Sequence, residues 1–280
     1  MEKNILGWKY YNHAAITTTA PHEDPNLQPL NDGSIWNLKS SKGETPLFAR
    51  YTSDFDCKKE TEFWFIVKDA PFVMKDLDKK YQKNILKALE RCDVRRIDPV
   101  TEFDGIYEVY EAAVNHYQNA DNKTPKEKMR QDIKEDGFEY WAAYDKKSGR
   151  MVGWMSCSNN GFWTETISAK YHPELLSLRP SDALHYTILN YYLNELGQKY
   201  ISSGSRSLNH KTNVQEYKVH NWKFRQAFCK LHIVYRKDVN LFIKLVYPFR
   251  SILKRLDNIT TVHQLNSVLR MEEIARSTRS

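Results

Sequence analysis

The 280-residue chain has no two cysteines close in sequence. Its four, Cys57, Cys92, Cys157 and Cys229, form no CxxC pair. That excludes the common zinc spacings and a small disulfide framework, and it favours buried free thiols in a reducing compartment. No stretch approaches the run of about 20 apolar residues that a membrane-spanning helix needs. Residues 1–10 lack the apolar core of a secretion signal, so a cytoplasmic location is expected. A P-loop, a dinucleotide fingerprint, HExxH and GxSxG are all missing, which removes several enzyme classes. Basic excess is also missing over most of the length: residues 1–220 hold 30 Lys and Arg against 31 Asp and Glu.

The net charge of +7 therefore comes from the end of the chain, where residues 221–280 hold 12 Lys and Arg against 4 Asp and Glu. A local basic region can bind an anionic surface that the whole protein would not attract. At 41% apolar and 28% charged residues, the composition is that of an ordinary soluble protein, long enough for one large domain or two small ones. Seventeen Tyr, twelve Phe and seven Trp supply large rings for a core or a groove.

The first fifty residues predict short strands and loops. Phe63–Val67 is a compact apolar run, read as a buried strand. Asp76–Arg91 is helical: Leu77, Tyr81, Ile85 and Leu89 recur on one face, and Lys79, Lys80, Lys83 and Lys87 fill much of the rest. A strand at Val94–Ile97 and a helix from Phe103 to Tyr117 follow. The third helix is expected to open on a Thr124–Pro125–Glu127 capping box and to end at Gly137. The period then changes to that of strands: Glu139–Tyr144, Met151–Cys157 and Phe162–Ser168, with Asn159–Asn160–Gly161 as a hairpin turn. Ser181–Asp182 is expected to cap a largely apolar helix to Leu196, stopped by Gly197. A strand at Tyr200–Ser203, a helix at Thr212–Trp222 and a strand at Phe228–Tyr235 complete the pattern.

From Val94 the order is thus β-α-α-β-β-β-α-β-α-β, which resembles that of GNAT acyltransferases over residues 94–236. The entry FWFIV, the Lys-rich helix LDKKYQKNILKALERCDV and the late stretch YISSGSRSLNHKTNVQEYKVHNWKFRQAF resemble the Fem-like branch. In that late stretch a hydrophobic–Lys pair, Tyr217–Lys218, precedes Phe224–Arg225. The resemblance implies an α/β fold with a mixed, mostly antiparallel sheet flanked by helices. It implies transfer of an acyl group to an amine or hydroxyl of a small molecule or cell-envelope precursor. It also implies acyl-CoA as co-substrate, with no bound cofactor and no metal. Fem-like proteins instead transfer amino acids from tRNA to peptidoglycan precursors. The stretch Leu178–Leu184, where a GNAT protein carries its glycine loop, has Arg179 but no glycine, and Asp182 opposes a phosphate at that helix start. This favours the Fem-like branch. Three segments are expected: an N-terminal extension with a partial Fem-like entry unit (1–93), the acyltransferase core (94–236) and a basic amphipathic segment (237–280).

Acyl transfer to an amine needs a base, a donor for the developing oxyanion and an acid for the leaving group. Glu165 is the candidate base, because strand alternation sets it with Trp163 and Ile167; a carboxylate on a strand edge is the plainer reading. His185 is a second candidate base, against a core histidine satisfied by a neighbouring carbonyl. Tyr217 is the candidate acid, against a core aromatic. For both, the plainer reading is favoured. Arg179 and Ser181, with Ser205, Arg206, His210, Lys211, Thr212 and Asn213, are the candidate donor-binding groups, because a dense polar loop at the open end of a sheet suits a phosphate or carboxylate.

In the last segment, Phe249, Ile252, Leu253 and Leu256 fall at i, i+3, i+4 and i+7, flanked by Arg250, Lys254 and Arg255. Two readings follow: a basic amphipathic helix lying on an anionic membrane through residues 239–256, or a helix docked by its apolar face on the core, which is favoured. The first makes a lipid-linked acceptor attractive and places the protein at the inner face of the membrane. The residues after Arg270 are expected to be mobile. Three functions are carried forward: acyl-CoA-dependent transfer; aminoacyl-tRNA-dependent transfer, with the Lys-rich helix on phosphates; and a non-catalytic, membrane-associated binding protein of GNAT shape.

Overall fold

The computed structural model describes residues 4–116, 123–207 and 214–279. In chain order the strands and helices are β1 (Trp8–Tyr11), β2 (Ala14–Thr17), α1 (Gln28–Asn31), β3 (Phe48–Ser53), β4 (Trp64–Lys68), α2 (Lys79–Arg91), β5 (Cys92–Ile97), α3 (Phe103–His116), α4 (Lys126–Glu135), β6 (Glu139–Asp145), β7 (Met151–Asn159) and β8 (Trp163–Tyr171). There follow α5 (Pro180–Leu189), β9 (Tyr200–Ser205), α6 (Val214–Trp222), β10 (Arg225–Phe228), β11 (Lys230–Tyr235), α7 (Lys237–Val246), α8 (Arg250–Leu253) and α9 (Thr260–Arg279). The chain divides into two compact units that are discontinuous in sequence, whereas the segments expected from the sequence were contiguous. The first unit is Met1–Phe65, Ser205–Thr212 and Gln226–Ser280; the second is Ile66–Gly204 and Asn213–Arg225.

In the first unit, a four-stranded sheet runs in the order β1-β2-β3-β11. Only β2 and β3 are parallel. Its two faces are both buried, as period-2 alternation requires when both are covered. Ala14 and Phe48 pair and face a core with Leu231, Ile233, Met271, Ile274 and Ala275. The next pair, Ala15 and Ala49, faces a second core with Trp8, Ile35 and Leu38. Of the residues after Arg270, expected to be mobile, 271–279 belong to α9 and bury Met271, Ile274, Ala275 and Thr278. Their spacing of i, i+3, i+4 and i+7 is an amphipathic stripe.

The seven-stranded sheet has the order β10-β4-β9-β8-β7-β6-β5, and unit boundaries fall within β4, β9 and β10. Strands β5 to β8 pair antiparallel in sequence, and β9 joins β8 in parallel. This is the mixed α/β, GNAT-like sheet that the element order predicts. On one face, α3 covers Tyr140, Ala142, Tyr144, Met151 and Trp154. The other face receives α5, whose Ala183, Leu184, Ile188 and Leu189 are buried.

Local corrections have local causes. The Thr124 capping box does not form: Pro125 holds the N-cap position of α4 without a side-chain cap, and the Thr124 N–H donates to Tyr110 Oη at 2.8 Å. Ser181–Asp182 does not cap α5; Arg179 does, in a left-handed conformation with φ 61°. Beyond Leu189 the helix widens into a π-turn over Asn190–Glu195, and Gly197 (φ 62°) stops it as expected. The expected strand 228–235 is two strands. The break falls at Cys229, whose N–H donates to Phe63 O and whose carbonyl accepts from Thr61 Oγ1.

Candidate functional site

Strands β8 and β9 pair over three residues only, Trp163–Glu165 with Tyr200–Ser202. They part at the next position, and there a lysine enters. Lys218 of α6 is 5% exposed, and its Nζ donates to Thr166 Oγ1 of β8 at 3.2 Å and to Ser203 Oγ of β9 at 2.6 Å. The ammonium lies 5.6 Å from the centre of the Phe224 ring. Among the described residues no carboxylate lies within 4 Å of it. An ammonium has three N–H donors, so two hydroxyls leave one unspent. Burial pulls the Lys218 pKa down to about 8, which still leaves the group charged at neutral pH.

Three candidate residues gather near it on the α5 side of the sheet. His185 is buried, and its Nδ1 lies 2.8 Å from Ser181 O. A carbonyl only accepts, so Nδ1 carries the proton and the buried Nε2, which has no partner, presents a lone pair. Burial, with the positive charge of Lys218, lowers the His185 pKa to about 3, so the ring stays neutral at physiological pH and is a poor base. It stacks on Trp222 at 5.2 Å. The ring is thus held between a backbone carbonyl and an aromatic face. Tyr217 donates to Asp182 Oδ1 at 2.9 Å; Tyr81 donates to the same oxygen at 2.7 Å and touches the Tyr217 hydroxyl. Arg179 Nη1 completes this set, 3.2 Å from Asp182 Oδ2. Burial and the Asp182 carboxylate both raise the Tyr217 pKa, so the phenol stays protonated.

The aromatic rings around this cluster fill it. Trp222 is fully buried and meets Tyr81 at 5.4 Å and Phe72 at 5.9 Å. Thus packed side chains occupy the α5 side of the divergence.

Glu165 is elsewhere. The β7–β8 register skips Ile167, pairing Ser156 with Ser168 and Cys157 with Thr166. From Trp163 to Thr166 side chains alternate, so Thr166 faces Lys218 and Glu165 faces the α3 side. Ile167, expected beside Glu165 in a buried row, is bulged and exposed. Glu165 Oε1 instead borders Gly204, whose φ is +80°.

Of the expected donor-binding residues, Arg179 and Ser181 belong to the second unit, and Ser205 and Arg206 to the first. Arg206 stacks over Trp64 at 4.4 Å and donates to Glu62 O. His210, Lys211, Thr212 and Asn213 lie outside the described residues. The start of α5 has its backbone donors largely engaged. Pro180 has no N–H, the N–H groups of Asp182 and Ala183 both point to Arg179 O, and a buried carboxylate sits there. Sequence reasoning noted Lys218 only as part of a motif, because a lysine inside a helix ordinarily reads as a solvent-facing group. The signal available was its place between Tyr217 and Trp222 on a short helix that follows one serine-rich strand end, Ser202–Ser205. A cavity of about 890 Å³ lies in the first unit, lined by residues that include Asp54, Cys57, Lys58 and Lys230; no candidate residue lines it.

The strand order and this divergence define a mixed α/β fold with a GNAT-like sheet. Among solved structures the chain is similar to FemX, with a TM-score of 0.55 at 10% identity over 85% of each chain. It is similar to a conserved protein of unknown function from Bacteroides thetaiotaomicron VPI-5482, with a TM-score of 0.51 at 11% identity, covering 83% of this chain and 84% of that one. The L-PGS structure from Bacillus licheniformis aligns with a TM-score of 0.48 at 11% identity, over 88% of this chain and 84% of that one. No family profile and no curated protein sequence matches the chain.

Proposed function

We propose that the chain transfers an acyl or aminoacyl group from an ester-linked donor to an amine, with Lys218 stabilising the oxyanion. The observation that carries this is a buried ammonium, without a carboxylate within reach among the described residues, at the point where the two parallel strands separate. The amine nitrogen attacks the ester carbonyl carbon, and the carbonyl electron pair moves onto oxygen. The free N–H of Lys218 donates to that oxyanion. Collapse breaks the carbon–oxygen ester bond, and the proton released by the attacking amine reaches the leaving alkoxide. Tyr217, held protonated against Asp182, passes it on. In a site of low dielectric, one such donor is worth a factor of about 10²–10³ in kcat.

The ester donor is aminoacyl-tRNA in this reading. The α5 start disfavours coenzyme A, and Lys79, Lys80, Lys83 and Lys87 are all exposed on α2 as phosphate contacts. This agrees with the chemistry that the Fem-like resemblance implies. The acceptor is an amine of an envelope precursor, soluble or lipid-linked. The test is binding followed by transfer. Bulk tRNA should bind, weaken steeply with salt, and weaken further when the four lysines become glutamine. Lys218→Met should retain tRNA binding and lose transfer by about 10²–10³. Thermal stabilisation by coenzyme A without tRNA binding would overturn the donor assignment, and full transfer by the Met variant would overturn the site. A second reading is favoured by the packing of Trp222 and Phe72: a binding protein in which Lys218 only ties β8 to β9. It expects tRNA or acceptor binding with no turnover in any variant.

A further inference from the structure

We propose that residues 237–259 of the first unit are a docking surface for an anionic lipid bilayer. The favoured sequence reading had the apolar stripe of this segment packed on the core, and the structure reverses it. Leu241, Phe242, Leu245, Phe249, Ile252 and Leu256 are between 45% and 64% exposed. Over α7, α8 and the 3-10 turns around α8, Ile243 is the buried apolar anchor. Folded proteins seldom leave so many large apolar groups together in water unless something covers them.

Part of the polar surface of the same segment turns the other way, towards α9. Arg250 reaches Glu273 of α9 at 3.4 Å, and its guanidinium lies 4.5 Å from the centre of the Tyr247 ring. Arg276 of α9 lies 3.8 Å from the same ring. Asn266 of α9 donates to Leu253 O and to Asp257. The segment is therefore held in place by its polar side, with its apolar side outward. An unanchored amphipathic helix would show the opposite.

Charge selects the occupant. The two carboxylates of the segment are engaged, Asp238 by both arms of Arg236 and Asp257 by Asn266 and His263. Lys237, Lys244, Lys254 and Arg255 are exposed among the apolar side chains. Apolar groups that enter the acyl boundary, interleaved with long cations that reach the headgroups, fit an anionic interface. A second copy of this surface would set like charges face to face. No described helix is long and apolar enough to cross a membrane, so contact through this segment is peripheral.

The inference rests on no part of the transfer reading, and its test is separate. The full chain is floated with phosphatidylglycerol-containing vesicles and with phosphatidylcholine vesicles at low and raised salt. Binding is expected on the first, weak on the second, and falling with salt. Lys254→Glu with Arg255→Glu should lower the partition coefficient by about fivefold for each cation removed, and Phe249→Ser with Ile252→Ser by on the order of 100-fold. All four sites are exposed, so melting temperatures should stay unchanged. Lys218→Met should bind vesicles as the native chain does. The proposal is overturned if anionic vesicles do not bind, if both double variants bind as before, or if the apolar variant instead dissociates a dimer.

Discussion

The surroundings of Lys218 and the segment around Phe249 depart from the usual distribution of polarity in opposite directions. In the second unit an ammonium, a carboxylate and an imidazole are inside, and the carboxylate is fully engaged by Tyr81, Tyr217 and Arg179. In the first unit large apolar groups are outside, and the arginine that could have been outside is folded in. Neither arrangement is what stability alone selects. Burying a charge without a counter-charge costs free energy, and exposing leucines and phenylalanines forgoes it. The difference is in what restores the balance: in the core only a reacting group can meet the spare N–H, while at the surface only an external phase can cover the side chains.

The comparison can be broken most easily at Asp182. Asp182→Ala should destabilise the fold by about 3–5 kcal/mol in urea unfolding, because it strips two half-buried phenols and a guanidinium of their shared, buried acceptor. Lys218 should behave in the other sense. Its pKa is lowered in the folded state to about 8, so between that value and its ordinary value near 10.4 the unfolded chain holds a proton that the folded chain lacks. Stability from this group therefore rises with pH across that window. Lys218→Met should be the more stable protein at pH 7, with its advantage of roughly 3 kcal/mol shrinking as pH is raised towards 10. A constant gap would mean that the ammonium is not desolvated. At the surface, Ile243→Ala should cost about 2 kcal/mol because it empties a buried site. Ile252→Ala, nine residues further on at an exposed site, should stay within ~0.5 kcal/mol. Equal losses at the two isoleucines would sink the claim that they differ in burial.

Much of the fold was legible because its signals are local. The hairpin at Asn159–Gly161, the stop at Gly197 and the Lys-rich face of α2 each follow from a few neighbouring residues. The stripe of Met271, Ile274, Ala275 and Thr278 was equally visible, but it was obscured by a basic, terminal context that suggests fraying. The site was less legible because it is tertiary. Lys218 is interior only because β8 and β9 separate after three pairs, and nothing in the spacing of α6 reports that. His185 and Tyr217 were singled out as a candidate base and a candidate acid. Their chemistry, one a neutral acceptor and the other a phenol bound to Asp182, depended on partners 4 and 35 residues away.

The irregularity at Ile167 decides more than the course of one strand. Had β8 run without it back from Ser168, Ile167 would stand opposite Cys157, and Glu165 would point to the same side as the ammonium. A carboxylate there would form an internal salt link, leaving the lysine electrically silent. By inserting a single extra residue, the strand shows the ammonium a threonine hydroxyl in place of an acid, so the positive charge stays available to whatever enters.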